Sequence, residues 1–378
     1  MKIGIFSYNK YSLYMNYGAA LHSFAFQKAL HKEGIENYIV DYKSKHVEDF
    51  DFENILLTNI KRKEVKTLRS FIASLLHVRS LRTKYHKFLN FYDTNCKMYS
   101  DNGKAFTYSG FLNGDYESFP FTTVVCESDV TWSPKTNNGF DRALFFDFRC
   151  FNGLNKVAYS PSISNTNLSK QQEIEFSTLL KNYDFLSSRE DETAQYVQNL
   201  TKRECHWVLD PVLLLSSEDY LPYTKKLPYK DFIIVYNCMK NDKNLIKEAQ
   251  KFADEKNLML IEISDYNQNK IIYKHKVLTD LGIEEYLYLF SEASYIFTNG
   301  FHGACFSLVF NKEFFLFARD GVDIKIKSLL RLFDLNERFV DFNCSPSQGV
   351  KKIDYSKINE ILSREKEKSI QFIKSSFK

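Results

Sequence analysis

The chain has 378 residues, a length that excludes one ordinary core and favours two domains of roughly 100 to 200 residues each. Its apolar fraction of 44%, with 13 glycines and 7 prolines, is that of a globular protein. The 51 basic and 47 acidic residues give a net charge of +4, which neither requires nor excludes a nucleic-acid partner.

The seven cysteines contain no CxxC pair and have no histidine at zinc-finger spacing. The sequence therefore predicts neither a disulfide framework nor a structural metal, and a reducing cytoplasm is the expected location. The apolar stretch at the amino terminus is too short for a signal peptide. No apolar run approaches the roughly 18 residues of a membrane span.

Both halves of the chain alternate between short apolar strands and helical segments, which predicts parallel sheets built from βαβ units. The predicted strands are residues 2–8, 36–42, 122–128, 156–162, 185–190, 231–238, 258–264, 295–297 and 314–317. The predicted helices are residues 16–34, 241–256, 283–293 and a segment that begins at His302.

Two further segments have the pattern of amphipathic helices. Residues 61–87 carry nine Lys or Arg and one acid, with Leu68, Ile72 and Leu75 along one side. A basic helix of this kind can lie on an anionic membrane surface, and the alternative is a solvated face on an ordinary packed helix. The end of the chain, residues 353–378, predicts a helix that packs back on the first domain.

A lone histidine stands at the mouth of a helix in the second half. An apolar strand at residues 295–297 breaks at a short polar turn, and the helix that follows opens with His302 between Gly300 and Gly303. Turns of this type lie at the carboxyl edge of a parallel sheet, where open α/β folds bind their ligands. We therefore expect this turn to belong to a functional site.

The best candidate for a linker is the segment 216–231, which has two prolines and mixed charge. It separates two predicted doubly wound α/β domains that face each other across a cleft. The expected limits are residues 1–218 for the first domain, which includes a basic helical insert at about 60–90, residues 219–345 for the second, and residues 346–378 for the terminal helix.

Six blocks of the sequence, in order, resemble the polysaccharide pyruvyl transferase family. They are NYGAALHSFAFQKAL at 16–30, ESDVTWSP at 127–134, KVAYSPSIS at 156–164, FLSSREDETAQYV at 185–197, VLDPVLLL at 208–215 and TNGFHGACFSLVFNKEFF at 298–315. The resemblance implies two Rossmann-like domains arranged as in GT-B glycosyltransferases. It also implies transfer of the enolpyruvyl carbons of phosphoenolpyruvate onto a sugar as a ketal, with no resident cofactor, no metal and no nucleic-acid partner.

The resemblance implies a donor site for the carboxylate and phosphate of phosphoenolpyruvate. Arg189 offers a planar fork for either anion, and the helix that carries His302 and Gly303 offers free backbone N–H groups. Asn299 and Lys325 fall at matched positions beside them. We assign His302 as the general acid that protonates the methylene carbon. A core histidine, and an arginine paired on the surface with a neighbouring acid, are the structural alternatives.

The matched positions of the first domain imply the acceptor side. Asn16 and Gly18 resemble the family's first loop, although a simple tight turn also explains them. Ser128 and Asp129 correspond to the family's GSDQVW block, in which an aspartate at a strand end suits the acceptance of a proton from the sugar hydroxyl. Asp210 precedes a proline and is expected to cap a turn.

The chain departs from the family pattern at several of these positions. Glu127, Val130 and Thr131 replace Gly, Gln and Val of the GSDQVW block, and Asn299 and Gly300 replace Asp and Ser of a TDSFHG block. Two alternatives therefore stay open: a GT-B glycosyltransferase that uses a nucleotide sugar, and a non-catalytic carbohydrate-binding member. For the pyruvyl transferase we expect a cytoplasmic enzyme that acts on a sugar or lipid-linked oligosaccharide, with peripheral contact at the inner face of the membrane as a further option.

Overall fold

The computed structural model describes residues 1–11, 15–54, 58, 68–238, 242–264, 269–318, 323–346 and 350–377, and for residues 68–77, 271 and 323 it describes the backbone only. The strands are β1 (Lys2–Phe6), β2 (Glu36–Val40), β3 (Tyr42–Lys43), β4 (Met98–Tyr99), β5 (Phe106–Thr107), β6 (Thr123–Glu127), β7 (Asn155–Tyr159), β8 (Phe185–Ser188), β9 (His206–Trp207), β10 (Phe232–Asn237), β11 (Met259–Ser264), β12 (Lys276–Leu278), β13 (Tyr295–Thr298), β14 (Glu313–Phe317) and β15 (Phe339–Val340). The α-helices are α1 (Tyr17–Lys32), α2 (Leu68–Asn95), α3 (Tyr108–Asn113), α4 (Lys170–Leu180), α5 (Asp191–Thr201), α6 (Ser217–Tyr220), α7 (Lys243–Lys256), α8 (Asn269–Ile272), α9 (Ile283–Glu292), α10 (Phe301–Val309), α11 (Asp323–Leu332) and α12 (Tyr355–Ser376).

Two parallel sheets form the two halves of the molecule. Within the described residues, the first sheet has seven strands in the order β4-β2-β1-β6-β7-β8-β9, and the second has six in the order β12-β11-β10-β13-β14-β15. The strand pairs of both sheets are parallel. The predicted α/β class with two Rossmann-like parallel sheets is confirmed.

Each sheet reverses its direction of growth at its centre. In the first sheet β1 lies between β2 and β6, and in the second β10 lies between β11 and β13. At such a switch point the connections leave in opposite directions, which opens a crevice at the carboxyl ends of the strands. The two crevices are therefore those beyond β1 and β6 and beyond β10 and β13.

The two halves share one apolar core. A single cluster of buried side chains includes Ile3 and Val125 of the first sheet and Ile234 and Ile296 of the second. Helix α1 joins them, because Tyr17 in its first turn stacks on a ring of the second half. The centroids of Tyr17 and Tyr286 are 4.4 Å apart at an interplanar angle of 8°, and the Tyr17 hydroxyl donates to the Leu281 carbonyl at 3.0 Å.

The predicted basic helix is present in part. Residues 61–67 of that prediction lie outside the described residues, and the described helix α2 begins at Leu68. At its carboxyl end Lys84 is buried over the Tyr17 ring, and Lys87 donates to the Glu285 carboxylate at 2.6 Å. This end of the helix therefore fastens the first half to the second. None of the described helices combines the length and the apolar character needed to cross a membrane.

The terminal helix α12 packs against the first sheet. The Ser369 hydroxyl accepts a hydrogen bond from the Leu209 amide at 2.9 Å, and the Ser376 carbonyl accepts one from the Asn155 side chain at 2.7 Å. Lys374 adds an ion pair with Glu33 at 2.6 Å. The chain thus returns to the half in which it began, while the proposed domain limits at 218 and 345 stay a prediction.

We predict that Tyr17→Ala lowers the free energy of unfolding by about 3–5 kcal/mol, because it empties a buried ring site between the two halves. Tyr17→Phe keeps the ring stack and loses the hydrogen bond to Leu281, so we expect a cost of about 1 kcal/mol. Urea denaturation of both variants measures the difference. Equal losses in the two variants would show that the ring stack does not hold the halves together.

Candidate active site

The two switch-point crevices meet around one imidazole. His302, the second residue of α10, packs directly on the backbone of Gly18 in the first turn of α1. A Cβ atom at position 18 would lie 1.9 Å from His302 Nδ1, so only glycine permits this approach. Asn16 caps the same helix, since its side-chain oxygen accepts a hydrogen bond from the Gly18 amide at 2.8 Å. Positions 16 and 18 therefore form the surface on which His302 packs, and their predicted acceptor role stays a prediction.

His302 is almost closed off from solvent, with 7% of its surface exposed. Its Nε2 atom lies 3.5 Å from a carboxylate oxygen of Asp210 and, among the described residues, makes no hydrogen bond. Burial lowers the pKa of His302 below its ordinary value, and the neighbouring Asp210 offsets only part of that effect. The free site therefore favours a neutral imidazole.

Asp210 connects the imidazole to the first half. As predicted, it caps a turn, because one carboxylate oxygen accepts from the Val212 amide at 3.1 Å. The other oxygen accepts from the Ser128 hydroxyl at 2.9 Å and from Arg189 at 2.7 Å. This second role, as the carboxylate beside His302, could not be read from its position before a proline.

Arg189 lies at the centre of a buried group of carboxylates. It contacts Asp210 at 2.7 Å, Glu190 at 3.4 Å and Asp129 at 3.5 Å, and its guanidinium carbon lies 4.6 Å from the centre of the Phe301 ring. The pairing with Glu190 is present, but it is buried and not on the surface. Arg189 thus stabilises the loops around the site, and its predicted role in donor binding stays a prediction.

A second imidazole, absent from the predicted site, faces His302. His22 of α1 is fully buried, and its Nδ1 atom lies 2.9 Å and 3.0 Å from the two carboxylate oxygens of Glu127 at the end of β6. Its Nε2 atom is 3.8 Å from an oxygen of Asp129 and, among the described residues, has no hydrogen-bond partner. The centroids of the His22 and His302 rings are 6.0 Å apart.

The two imidazoles have opposite electrostatic surroundings. Burial alone would lower the pKa of His22, but the carboxylates of Glu127 and Asp129 outweigh it and raise that pKa to about 10. The pKa of Asp129 is held well below its usual range, because His22 and Arg189 outweigh the effect of its burial. At neutral pH the site therefore contains one charged and one neutral imidazole.

The backbone at Ser128 and Asp129 is left-handed, with φ values of 46° and 50°. Two successive residues of this kind are costly for side chains other than glycine, and such strain concentrates at functional sites. The turn directs the Ser128 hydroxyl to Asp210 and the Asp129 carboxylate towards His22 and Arg189. The structure thus places Ser128 and Asp129 beside these groups, while their predicted roles in the reaction stay predictions.

The remaining donor-side positions have local partners. Asn299 accepts from the Cys238 amide at 2.7 Å and donates to Asn237 at 3.2 Å, which ties the ends of β13 and β10 together. Gly303 lies so close to Thr298 that a Cβ atom there would be 2.2 Å from its hydroxyl oxygen. Lys325 on α11 places its ammonium group 5.9 Å from the centre of a phenylalanine ring, that of Phe301. Their predicted contacts with a donor stay predictions.

One sequence signal pointed to the missed pair. His22 and Ser23 are adjacent polar residues within the otherwise apolar stretch 19–26, and both are fully buried. Polar groups in a buried helix face require partners, and the carboxylate of Glu127 is the partner of both His22 and Ser23.

Across the described part of the chain, no three His, Cys, Asp or Glu side chains are placed to hold a metal ion.

We predict that Gly18→Ala destabilises the parent protein, because the new methyl group collides with the His302 ring and overpacking costs about 1–3 kcal/mol. In a His302→Ala background the collision is gone, and the better helix propensity of alanine should stabilise the protein by up to about 1 kcal/mol. A double-mutant cycle in urea measures this change of sign. The same effect of Gly18→Ala in both backgrounds would contradict the packing described here.

We predict that the stability of the parent falls between about pH 6.5, the ordinary value of an unfolded histidine, and the folded pKa of His22 at about 10. The pKa is raised on folding, so its stabilisation is complete below the lower value and is lost as the pH rises through the upper one. Because lysine and tyrosine side chains also titrate near pH 10, the free energy of unfolding of the parent is compared with that of the double variant His22→Gln, Glu127→Gln, both measured by urea denaturation. The difference between the two should fall as the pH rises, and a difference that is constant with pH would refute the prediction.

Comparison with known proteins assigns the chain to a protein family. The sequence model of a family described as polysaccharide pyruvyl transferase matches residues 16–321, which is more than half of the chain. A search of curated proteins found no match.

Among solved structures, UDP-GlcNAc 2-epimerase from Neisseria meningitidis is 10% identical with a TM-score of 0.49, covering 100% of this chain and 94% of that one. The 2-epimerase from Methanocaldococcus jannaschii is 10% identical with a TM-score of 0.47, covering 96% and 92%. MurG from Acinetobacter baumannii is 10% identical with a TM-score of 0.39, covering 98% and 94%. On the match of its sequence, the chain belongs to the polysaccharide pyruvyl transferase family.

Proposed function

We propose that this chain transfers the enolpyruvyl carbons of phosphoenolpyruvate to a sugar of a cell-surface polysaccharide or of its lipid-linked precursor. Membership of the family supports the transfer of a pyruvyl group. The observation that carries the proposal is the pair of buried imidazoles, His22 and His302, whose Nε2 atoms have no hydrogen-bond partner among the described residues. Unpaired polar atoms at the junction of two sheet crevices are suited to a small, polar ligand.

The proposed reaction needs one acid and two proton losses from the acceptor. The methylene carbon of phosphoenolpyruvate takes up one proton and becomes a methyl group. A sugar hydroxyl oxygen bonds to the adjacent carbon, the bond from that carbon to the phosphate oxygen breaks, and a second hydroxyl oxygen of the same sugar closes the ketal. Of the two hydroxyl protons, one replaces the proton given to the methyl group and the other leaves on the phosphate.

His302 is the proposed acid. In the free site burial keeps its pKa low, so the imidazole is neutral until an anion binds beside it. A carboxylate or phosphate near Nε2 stabilises the imidazolium form of His302. Binding of phosphoenolpyruvate therefore favours the protonated imidazole that then donates its proton to the methylene carbon. The acid is thus formed when the substrate is present.

The donor anion also needs fixed donors, for which α10 and Arg189 are the proposed groups. Helix α10 has no side-chain cap among the described residues, so we propose that the N–H groups of its first turn, at residues 301–303, bind the donor anion. The contact of Arg189 with Asp129, at 3.5 Å, is longer than its contact with Asp210, at 2.7 Å. We propose that a donor oxygen replaces the weaker of these contacts. Asp129, freed in this way, is the proposed acceptor of the hydroxyl proton.

We predict that the purified parent releases phosphate from phosphoenolpyruvate only when a sugar acceptor is present.

We further predict that His302→Asn lowers turnover by about 100- to 10,000-fold, the usual contribution of a positioned acid. The donor dissociation constant should change much less, because Arg189 and the amides of α10 remain. Phosphate release and calorimetric titration with phosphoenolpyruvate measure the two quantities.

The control is a thermal-shift comparison of phosphoenolpyruvate with uridine and guanosine diphosphate sugars, since a ligand of the folded state raises its melting temperature. Stabilisation by a nucleotide sugar and not by phosphoenolpyruvate would replace the proposed function with glycosyl transfer. A loss in His302→Asn that lies wholly in donor affinity would leave the function standing and make His302 an anion ligand.

A further inference from the structure

We propose that His22, oriented by Glu127, is a second substrate-contacting imidazole of the site, whose Nε2–H donates to an anionic oxygen of the donor across from His302. The inference rests on the proposed function and adds a residue to it. The ligand group is a carboxylate or a phosphate, the two anions that phosphoenolpyruvate carries.

The ring of His22 is fixed so that one nitrogen alone is available. Its Nδ1 atom is within 3.0 Å of both carboxylate oxygens of Glu127. That carboxylate is held by the Ser23 hydroxyl at 3.0 Å, and the backbone carbonyl of Glu127 accepts from Ser7 at 2.7 Å. A carboxylate that binds one ring nitrogen sets both the orientation and the protonation of the imidazole. Nε2 is therefore the nitrogen left for a ligand.

The available nitrogen faces the Asp129 carboxylate and makes no hydrogen bond among the described residues. His22 is 0% exposed, and among the described residues its Nε2 atom makes no hydrogen bond, since Asp129 at 3.8 Å is beyond that range. Nε2 of His302 also makes no hydrogen bond among the described residues, and it lies 3.5 Å from Asp210. The two rings are inclined by 30° with centroids 6.0 Å apart. Two neighbouring imidazole nitrogens that lack hydrogen bonds suit a small anion with more than one oxygen.

The charged groups around His22 keep it able to donate. Glu127 at the end of β6 and Asp129 in the following turn face it directly, while His302 of α10 and Asp210 lie beyond. The raised pKa of His22 agrees with an imidazolium throughout the neutral range. A protonated Nε2 has no lone pair and can act only as a donor, which selects an anionic ligand.

Glu127 is a departure of this chain from the family block that its sequence resembles. The block that the sequence resembles has glycine at this position, and glycine supplies no carboxylate to orient a histidine. The Glu127 side chain reaches across 105 residues of sequence to His22. A change at the end of β6 is therefore coupled to an imidazole on α1, and the pair acts as one unit.

The test compares four proteins by calorimetric titration with phosphoenolpyruvate, inorganic phosphate and pyruvate between pH 6 and pH 9. They are the parent, Glu127→Gln, the double variant His22→Gln with Glu127→Gln, and His31→Gln. The double variant avoids leaving a buried carboxylate without its imidazole, and His31→Gln changes an exposed histidine at the carboxyl end of the same helix, away from the site. Thermal unfolding verifies that each variant is folded.

We expect the double variant to bind phosphoenolpyruvate at least about 10-fold more weakly than the parent, as for a lost charge-assisted hydrogen bond. Glu127→Gln removes the charge that keeps the imidazolium, so its donor affinity should fall as the pH rises through about 6.5, the ordinary histidine value. The parent should lack this added loss, because the pKa of its His22 is about 10. His31→Gln should follow the parent. Weakening of phosphate binding alone, or of pyruvate binding alone, identifies which anion His22 contacts.

Two outcomes overturn the inference and are distinguishable. A double variant that binds phosphoenolpyruvate within about twofold of the parent, or a Glu127→Gln profile parallel to that of the parent, removes His22 from the donor site and leaves the proposed function intact. A parent that binds neither phosphoenolpyruvate nor its two fragments overturns both. If the double variant does not fold, the pH profile of Glu127→Gln decides alone, since a purely structural role would not change its slope.

Discussion

The junction of the two sheets depends on the burial of four carboxylates, those of Glu127, Asp129, Glu190 and Asp210. A buried carboxylate is tolerated only when cations and hydrogen-bond donors surround it, because the loss of hydration costs more than one contact returns. The partners come from distant parts of the chain, namely His22 of α1 and Arg189 at the end of β8. The loops at the carboxyl edges are therefore fixed by charge pairing as well as by apolar packing.

Close backbone contact makes this pairing possible. The amino-terminal turns of α1 and α10 approach until the imidazole of His302 lies on Gly18, and the second helix is in turn seated against Thr298 through Gly303. Tyr17, one residue before Gly18, inserts its ring between α2 of its own half and α9 of the opposite half. A short segment of α1 thus holds the halves together and also forms one wall of the site. A substitution in this turn acts on stability and on the geometry of the site together.

Much of the fold could be predicted from the sequence, because the local spacing of apolar residues indicates strands and helices. The strands at 2–8 and 231–238 and the helix at 283–293 agree with β1, β10 and α9. Residues 61–67 of the predicted basic helix and residue 241 of the next predicted helix lie outside the described part. Helix α7 begins at Lys243, because Asp242 caps it.

The candidate site was predictable only in part. Resemblance named Asp129, Arg189 and His302, and the structure brings these three together. It did not name His22, because a histidine inside a helical pattern has no partner that can be seen along the sequence. Its partner Glu127 lies 105 residues away and was noticed only as a departure from a family block. Pairing across such a distance is set by sheet order, which local periodicity does not specify.

The contrast between the two imidazoles comes from how each carboxylate is shared. Glu127 directs both of its oxygens to His22 at 2.9 and 3.0 Å, so its charge acts on that ring almost undivided. Asp210, the carboxylate nearest to His302, instead receives Arg189 at 2.7 Å and the Ser128 hydroxyl at 2.9 Å, and it keeps 3.5 Å from the imidazole. Because Asp210 shares its charge with the guanidinium, it offsets only part of the effect of burial on the pKa of His302. The protein thereby obtains two protonation states from one side-chain type within 6.0 Å, and the neutral member is the one whose state an incoming anion can change.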